Sequence, residues 1–248
     1  YRRQRQMCIR DSCYIPIYPR KPKNLYVPYI FSEEELKKIF KAADELMFVR
    51  RNFKCGIFSI PVLLRLLYST GMRIGEACSL INSDVDMSSR IILVRNTKNK
   101  RDRQLPISDS LYQVLEQYLI KRDKLPLHNM GNPNSPFLIS LDGSSLTGVS
   151  ARHWFYKILE ASDIDYIPKV GPRIHDLRHT FAVHVLDKLV KEGVDMHCCL
   201  PVLSMALGHK CVSDTEYYVR ITNQVYPHLS DTTSAISEYV FPTISTMK

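Results

Sequence analysis

Residues 171–186 read GPRIHDLRHTFAVHVL. Through HDLRHTFAVHVLDKLVKEG, residues 175–193, apolar positions recur at helical spacing, so this stretch is expected to be a helix. Within it His175, His179, His184, Arg173 and Arg178 crowd an otherwise apolar run, and Asp176 is the one acidic residue nearby. Cations that are buried or half-buried need partners. Either these cations lie in water or their partner is missing from this chain, and a polyanion would be such a partner.

Outward from this helix the chain reads as mostly helical. Downstream, LPVLSMALGH (200–209) is a further helix ending at Leu207-Gly208-His209, and Tyr217 and Tyr218 follow nearby. Upstream, GVSARHWFYKILEAS (148–162) and SLYQVLEQYLIKRDK (110–124) carry helical patterns, with the loop HNMGNPNSPFLIS (128–140) between them. FSEEELKKIFKAADEL (31–46) opens on Ser32 as N-cap with Glu35 three residues on, a capping box. A helix from about Phe58 to Ser69, with Pro61 tolerable in its first turn, is apolar nearly all round and is expected at the centre of the core. A short helix over MRIGEACSLI (72–81) follows, and IILV (91–94) and RQLPI (103–107) flank a turn rich in Lys and Arg as a small antiparallel hairpin or meander. The fold class is α+β, mainly α.

Composition narrows the function. The 248 residues are 45% hydrophobic, enough to bury a real core, and the formal charge of +9 favours nucleic acid or an anionic surface as partner. No apolar run approaches the roughly 20 residues of a membrane span, and the longest carries Arg65 in its middle. Seven cysteines without framework spacing fit free thiols in a reducing cytoplasm. Cys198, Cys199, His209 and Cys211 raise the question of zinc, but adjacent cysteines lack the usual ligand spacing and no metal is assigned.

Four places concentrate charge or nucleophiles: Arg73 after STGM, the turn NTKNKRDR (96–103), the His175/Arg178 segment, and LGHKCVSDTEYY (207–218). Singly each has an ordinary reading as a solvated turn or a helix cap. Together, TGMRIGEACSL, a hairpin lysine, HDLRHTFAVHVL, and LGH with a tyrosine nine positions later resemble the tyrosine recombinase (phage integrase) family, over about Phe31 to Tyr226. The resemblance implies the helical catalytic domain of a DNA breaking-rejoining enzyme with a small antiparallel three-stranded sheet. It also implies that Arg73, Lys98, His175, Arg178 and His209 surround a scissile phosphate which Tyr218 attacks, with Glu76 in support. His175 then binds phosphate oxygens or accepts the phenol proton. Tyr217 is the rival nucleophile, set second because the family pattern has a bulky apolar residue before the tyrosine, so that the Tyr217 ring is expected to pack. Lys98 is the expected proton donor to the leaving oxygen, with Lys100 two residues away as the alternative. Lys98, Lys100, Arg101, Arg103 and Arg173 are expected on DNA. His179 and His184 are read as packing or hydrogen-bonding residues.

The same resemblance implies double-stranded DNA as substrate, no metal or other cofactor, and four protomers around two duplexes, half of them active at once. Residues 227–248 are expected to form a tail that docks on a neighbouring copy. Residues 1–30 are expected to be a non-native extension and linker, since YRRQRQMCIRDS resembles a translated sequencing adaptor; a natural basic arm is the alternative. Residues 31–226 then hold the catalytic domain, and the family's amino-terminal clamp domain has no room in residues 1–30. The connection between Arg178 and His209 is longer than the family's usual one. The reading that results is a site-specific recombinase or integrase of a phage or mobile element, acting in a bacterial cytoplasm at the nucleoid. A type IB topoisomerase-like enzyme and a DNA-binding module that no longer cuts are the alternatives.

Overall fold

The computed structural model describes residues 27–46, 56–95, 102–167 and 170–226. Lys98, Lys100, Arg101 and the two flanking segments expected above as extension and tail lie largely or wholly outside these residues.

Helix α1 (Glu33–Asp44) starts where its cap predicts: the Glu35 backbone N–H donates to Ser32 Oγ at 3.2 Å, and the Ser32 backbone N–H donates to Glu35 Oε2 at 2.7 Å. After a 3₁₀ turn (Gly56–Ser59), α2 (Ile60–Thr70) runs through the core with Leu63, Leu64 and Leu66 fully buried. It ends at Gly71, whose φ of 63° is left-handed; a Cβ there would lie 2.4 Å from Phe181 and 2.9 Å from Leu207, so only glycine fits. Helix α3 (Ile74–Cys78) follows, then β1 (Val85–Asp86), β2 (Ile91–Val94) and β3 (Arg103–Pro106), an antiparallel sheet of order β1-β2-β3 with Ile92 opposite Leu105. The meander expected from IILV and RQLPI is present.

Helices α4 (Asp109–Arg122), α5 (Gly148–Ala161), α6 (Asp176–Lys191), α7 (Met196–Leu207) and α8 (Ser213–Val225) complete the described chain. Helix α7 begins before the expected Leu200 and carries Pro201 inside it. A proline removes one backbone donor without forbidding the turn ahead of it.

The apolar residues gather in two clusters. The larger joins α1 to α5 with the sheet and the start of α6; the smaller packs Ala182, Val183 and Leu186 of α6 against Leu200, Leu203 and Leu207 of α7 and Tyr218 and Ile221 of α8. Helix α6 therefore belongs to both, and its first turns lie at the seam. Thr180 fastens that seam to the front of the chain, accepting the Phe31 backbone N–H at 3.1 Å while its hydroxyl donates to the Asp176 carbonyl.

Candidate active site

Three chain segments meet at the seam: the turn from Gly71 to Arg73, the first turns of α6, and the corner Leu207–His209 that separates α7 from α8. Arg178 ties them together. It is 3% exposed, and its guanidinium donates to the Gly71 carbonyl at 2.8 Å and the Leu207 carbonyl at 2.7 Å. The expectation that this cation lacks a partner within the chain is thereby corrected, because ordinary carbonyls exposed by two left-handed glycine corners supply one. Two contacts hold the fork in place, and the guanidinium also faces the Tyr218 hydroxyl.

Arg73, the residue before α3, is the second fork. Its backbone N–H donates to Glu76 Oε2 and its Nη1 to Glu76 Oε1, both at 2.9 Å, and Nη2 reaches the Gly208 carbonyl at 3.4 Å. Glu76 is shared. Arg103 on β3 donates to both of its oxygens, Nη2 to Oε2 at 2.7 Å and Nη1 to Oε1 at 3.3 Å, and its Nε donates to the Ala206 carbonyl at 2.8 Å. Burial pushes the Glu76 carboxyl upward, but Arg103 and Arg73 outweigh it and hold the pKa at about 2. Two arginines and one carboxylate leave a surplus positive charge beside Arg178.

Arg103 is one of the residues expected on DNA. Its side chain is 9% exposed and turned inward onto Glu76. Strand alternation contained the signal, since Arg103 lies on the same face of β3 as buried Leu105. Gly208, at φ 66°, lies so close that a Cβ on it would meet the Arg103 guanidinium at 2.9 Å.

Tyr218 faces this basic cluster from α8. It is 3% exposed, whereas Tyr217 is 37% exposed. The Tyr217 ring, expected to pack, lies beside the Tyr218 ring with centroids 6.1 Å apart and is partly exposed, while Tyr218 shares a face with buried Thr215, Ile221 and Thr222. Burial raises the Tyr218 pKa above its ordinary value, and the charge and hydrogen bond of Arg178 offset only part of the rise.

Three histidines surround the phenol. His179 Nδ1 lies 2.9 Å from the Tyr218 hydroxyl, a contact within the packing or hydrogen-bonding role expected for this residue. Its spacing of four residues from His175 on one helix was the available signal. His209 lies parallel to the Tyr218 ring with centroids 6.1 Å apart, and its Nδ1 pairs with the Thr215 hydroxyl at 2.8 Å, leaving Nε2 for the site. His175 occupies the cap of α6 with an exposed outer face and meets the His179 ring edge-on. Burial, then the charges of Arg178 and Arg73, lowers His175 and His209 to about 4; burial and then His175 and Arg178 lower His179 to about 3. His184 lies away from this group, paired through Nδ1 with the Tyr68 hydroxyl at 3.0 Å. Arg173 gives its backbone N–H to Asp176 at 2.7 Å, before the first turn of α6.

The described residues thus form a mainly helical domain in which a buried tyrosine, two guanidinium forks and three imidazoles meet at one seam. The chain belongs to the phage integrase family, the tyrosine recombinases, whose family model matches residues 30–224. The putative integrase/recombinase y4rB of Sinorhizobium fredii is 30% identical over 213 residues, covering 85% of this chain and 66% of that protein. Tyrosine recombinase XerA of Pyrococcus horikoshii is 30% identical over 208 residues, covering 83% and 61%. The chain thus spans less than two thirds of these relatives' own lengths. Among solved structures, the XerH recombinase bound to palindromic difH substrate superposes with a TM-score of 0.61 at 23% identity, over 85% of this chain and 54% of that one, a likeness of fold.

Proposed function

We propose that this chain cuts and rejoins double-stranded DNA at specific sites through a covalent 3′-phosphotyrosyl intermediate. The Tyr218 oxygen attacks the phosphorus, the bond to the 5′ oxygen breaks, and a free 5′-hydroxyl is left that reverses the step without ATP or metal. Arg73 and Arg178 bind the non-bridging oxygens, where negative charge grows in the five-coordinate transition state, and His209 adds a ring N–H. Lys98 protonates the leaving oxygen, with Lys100 the alternative, and Arg173 and Arg101 meet the backbone. Residues 227–248 link four protomers on two duplexes, and the enzyme serves a phage or mobile element in a bacterial cell. The observation that carries this reading is the Tyr218 hydroxyl, directed into the only part of the described site where both guanidinium forks and His179 converge.

Nicked DNA bearing the element's end supplies the test, because a nick beside the cut lets the freed piece diffuse away and traps the adduct. Wild type and Tyr217→Phe are expected to give a denaturation-resistant protein–DNA adduct, and Tyr218→Phe none. An adduct that survives Tyr218→Phe and vanishes with Tyr217→Phe would move the nucleophile. DNA binding with no adduct from wild type would refute strand cleavage by this chain.

A further inference from the structure

The family resemblance points to His175 for the phenol proton, yet the imidazole that touches the Tyr218 hydroxyl is that of His179, at 2.9 Å through Nδ1. Arg178 faces the same oxygen. A guanidinium has donors only, so it occupies a lone pair of the phenol. With its ring hydrogen on Nε2, His179 accepts the phenol O–H at Nδ1. His209 does not compete through Nδ1, since that atom is engaged with Thr215. His175 meets His179 at 4.9 Å between centroids, one helical turn back.

We propose that His179 is the catalytic base for Tyr218, an inference that rests on the strand-cleavage reading above. As the Tyr218 oxygen bonds to phosphorus and the bond to the 5′ oxygen breaks, the phenol proton passes to His179 Nδ1 and the ring becomes imidazolium. The departing oxygen takes its proton from a separate acid. On rejoining, the 5′-hydroxyl attacks, the phosphorus–tyrosine bond breaks, and the imidazolium returns the proton to the phenol. Burial and neighbouring cations keep the free His179 unprotonated at neutral pH, ready to accept. An incoming phosphate brings the negative charge that offsets those cations, so the ring gains basicity as the substrate arrives.

The test is the single-turnover rate of adduct formation on nicked DNA by wild type, His179→Gln, His179→Ala and His175→Gln. Each is run with the ordinary 5′ oxygen and with sulfur in its place, a leaving group that needs no acid. Removal of a general base should slow His179→Gln and His179→Ala by about 10²–10⁴-fold on both substrates. Their residual rates should climb tenfold per pH unit between about pH 6 and 9, where wild type is flatter, because hydroxide must then ionise the phenol. A merely structural role would not change that slope. His179→Gln within about threefold of wild type, rescue of its rate by the sulfur substrate, or transfer of the steep slope to His175→Gln would overturn the assignment. In folded wild type the His179 Nδ1 should show the nitrogen-15 shift of an acceptor, altered by Tyr218→Phe; a protonated Nδ1 at neutral pH would also overturn it. Failure of wild type to form any adduct would instead sink strand cleavage itself, so the two failures are distinguishable.

Discussion

At the scale of single residues, the site is organised by a carboxylate that two arginines share. Glu76 accepts from Arg73 on one side and Arg103 on the other, so the aim of Arg73 depends on a residue from a different element. Arg103→Ala would leave Glu76 buried with half its partners. Truncating one member of such a pair costs about 3 kcal/mol, and a fork misplaced by about 1 Å costs about 10² in rate. Urea unfolding and adduct kinetics should show both losses, with DNA affinity little changed; Arg103→Lys should recover charge but not the bidentate grip. Wild-type stability and rate combined with a shallower salt dependence of DNA binding would return Arg103 to the DNA. Arg73, Arg178 and Tyr218 were legible in the sequence because their motifs are local and keep fixed spacing. The inward turn of Arg103 was harder to see, since it sits in a run of cations that reads as one basic patch, although alternation with Leu105 already separated it from its neighbours. The contact of His179 with Tyr218 spans 39 residues and exists only once α6 and α8 pack.

At the scale of elements, the two glycine corners decide where the forks point. Gly71 closes α2 and lends its carbonyl to Arg178; the corner at Gly208 does the equivalent for Arg73 and is pressed against Arg103. Gly71→Ala meets a left-handed φ, which costs about 1–2 kcal/mol, and adds a collision with Phe181. The melting temperature should drop by several degrees and adduct formation should fall with it; an unchanged melting curve would show that the corner is not needed. Helix starts with side-chain caps were readable, as Ser32 shows, because the cap and its partner lie within four residues. The front of α7 was not, because Pro201 is an ordinary local stop signal and the turn before it is held by the packing of Leu200 and Leu203.

At the scale of the whole molecule, pH links the site to stability. His179 and His209 have folded pKa values below their usual 6.5, at about 3 and 4, so below that pH the unfolded chain binds more protons than the native one. Their contribution is fully present above about pH 6.5 and is lost as pH falls toward 4. Glu76, held at about 2, adds a loss of the same sign from its unfolded value near 4.3 downward. Thermal unfolding between about pH 8 and 4.5 should therefore be flat at the upper end and fall below about 6.5, with a shallower fall in His179→Gln. A curve that rises on acidification would contradict the burial of these rings.

The near-complete enclosure of Tyr218 has a consequence for selectivity. A phenol that is 3% exposed is closed to stray phosphates that merely drift into the basic hollow. Reaching it requires α8 or its surroundings to yield, and the free energy for that must come from contacts made elsewhere along a duplex. Arg178 is equally enclosed at 3%, so on the proposed strand-cleavage reading the same opening admits the phosphate to both, and commitment to breakage would be set by how much of the partner is engaged and not by the phosphate alone.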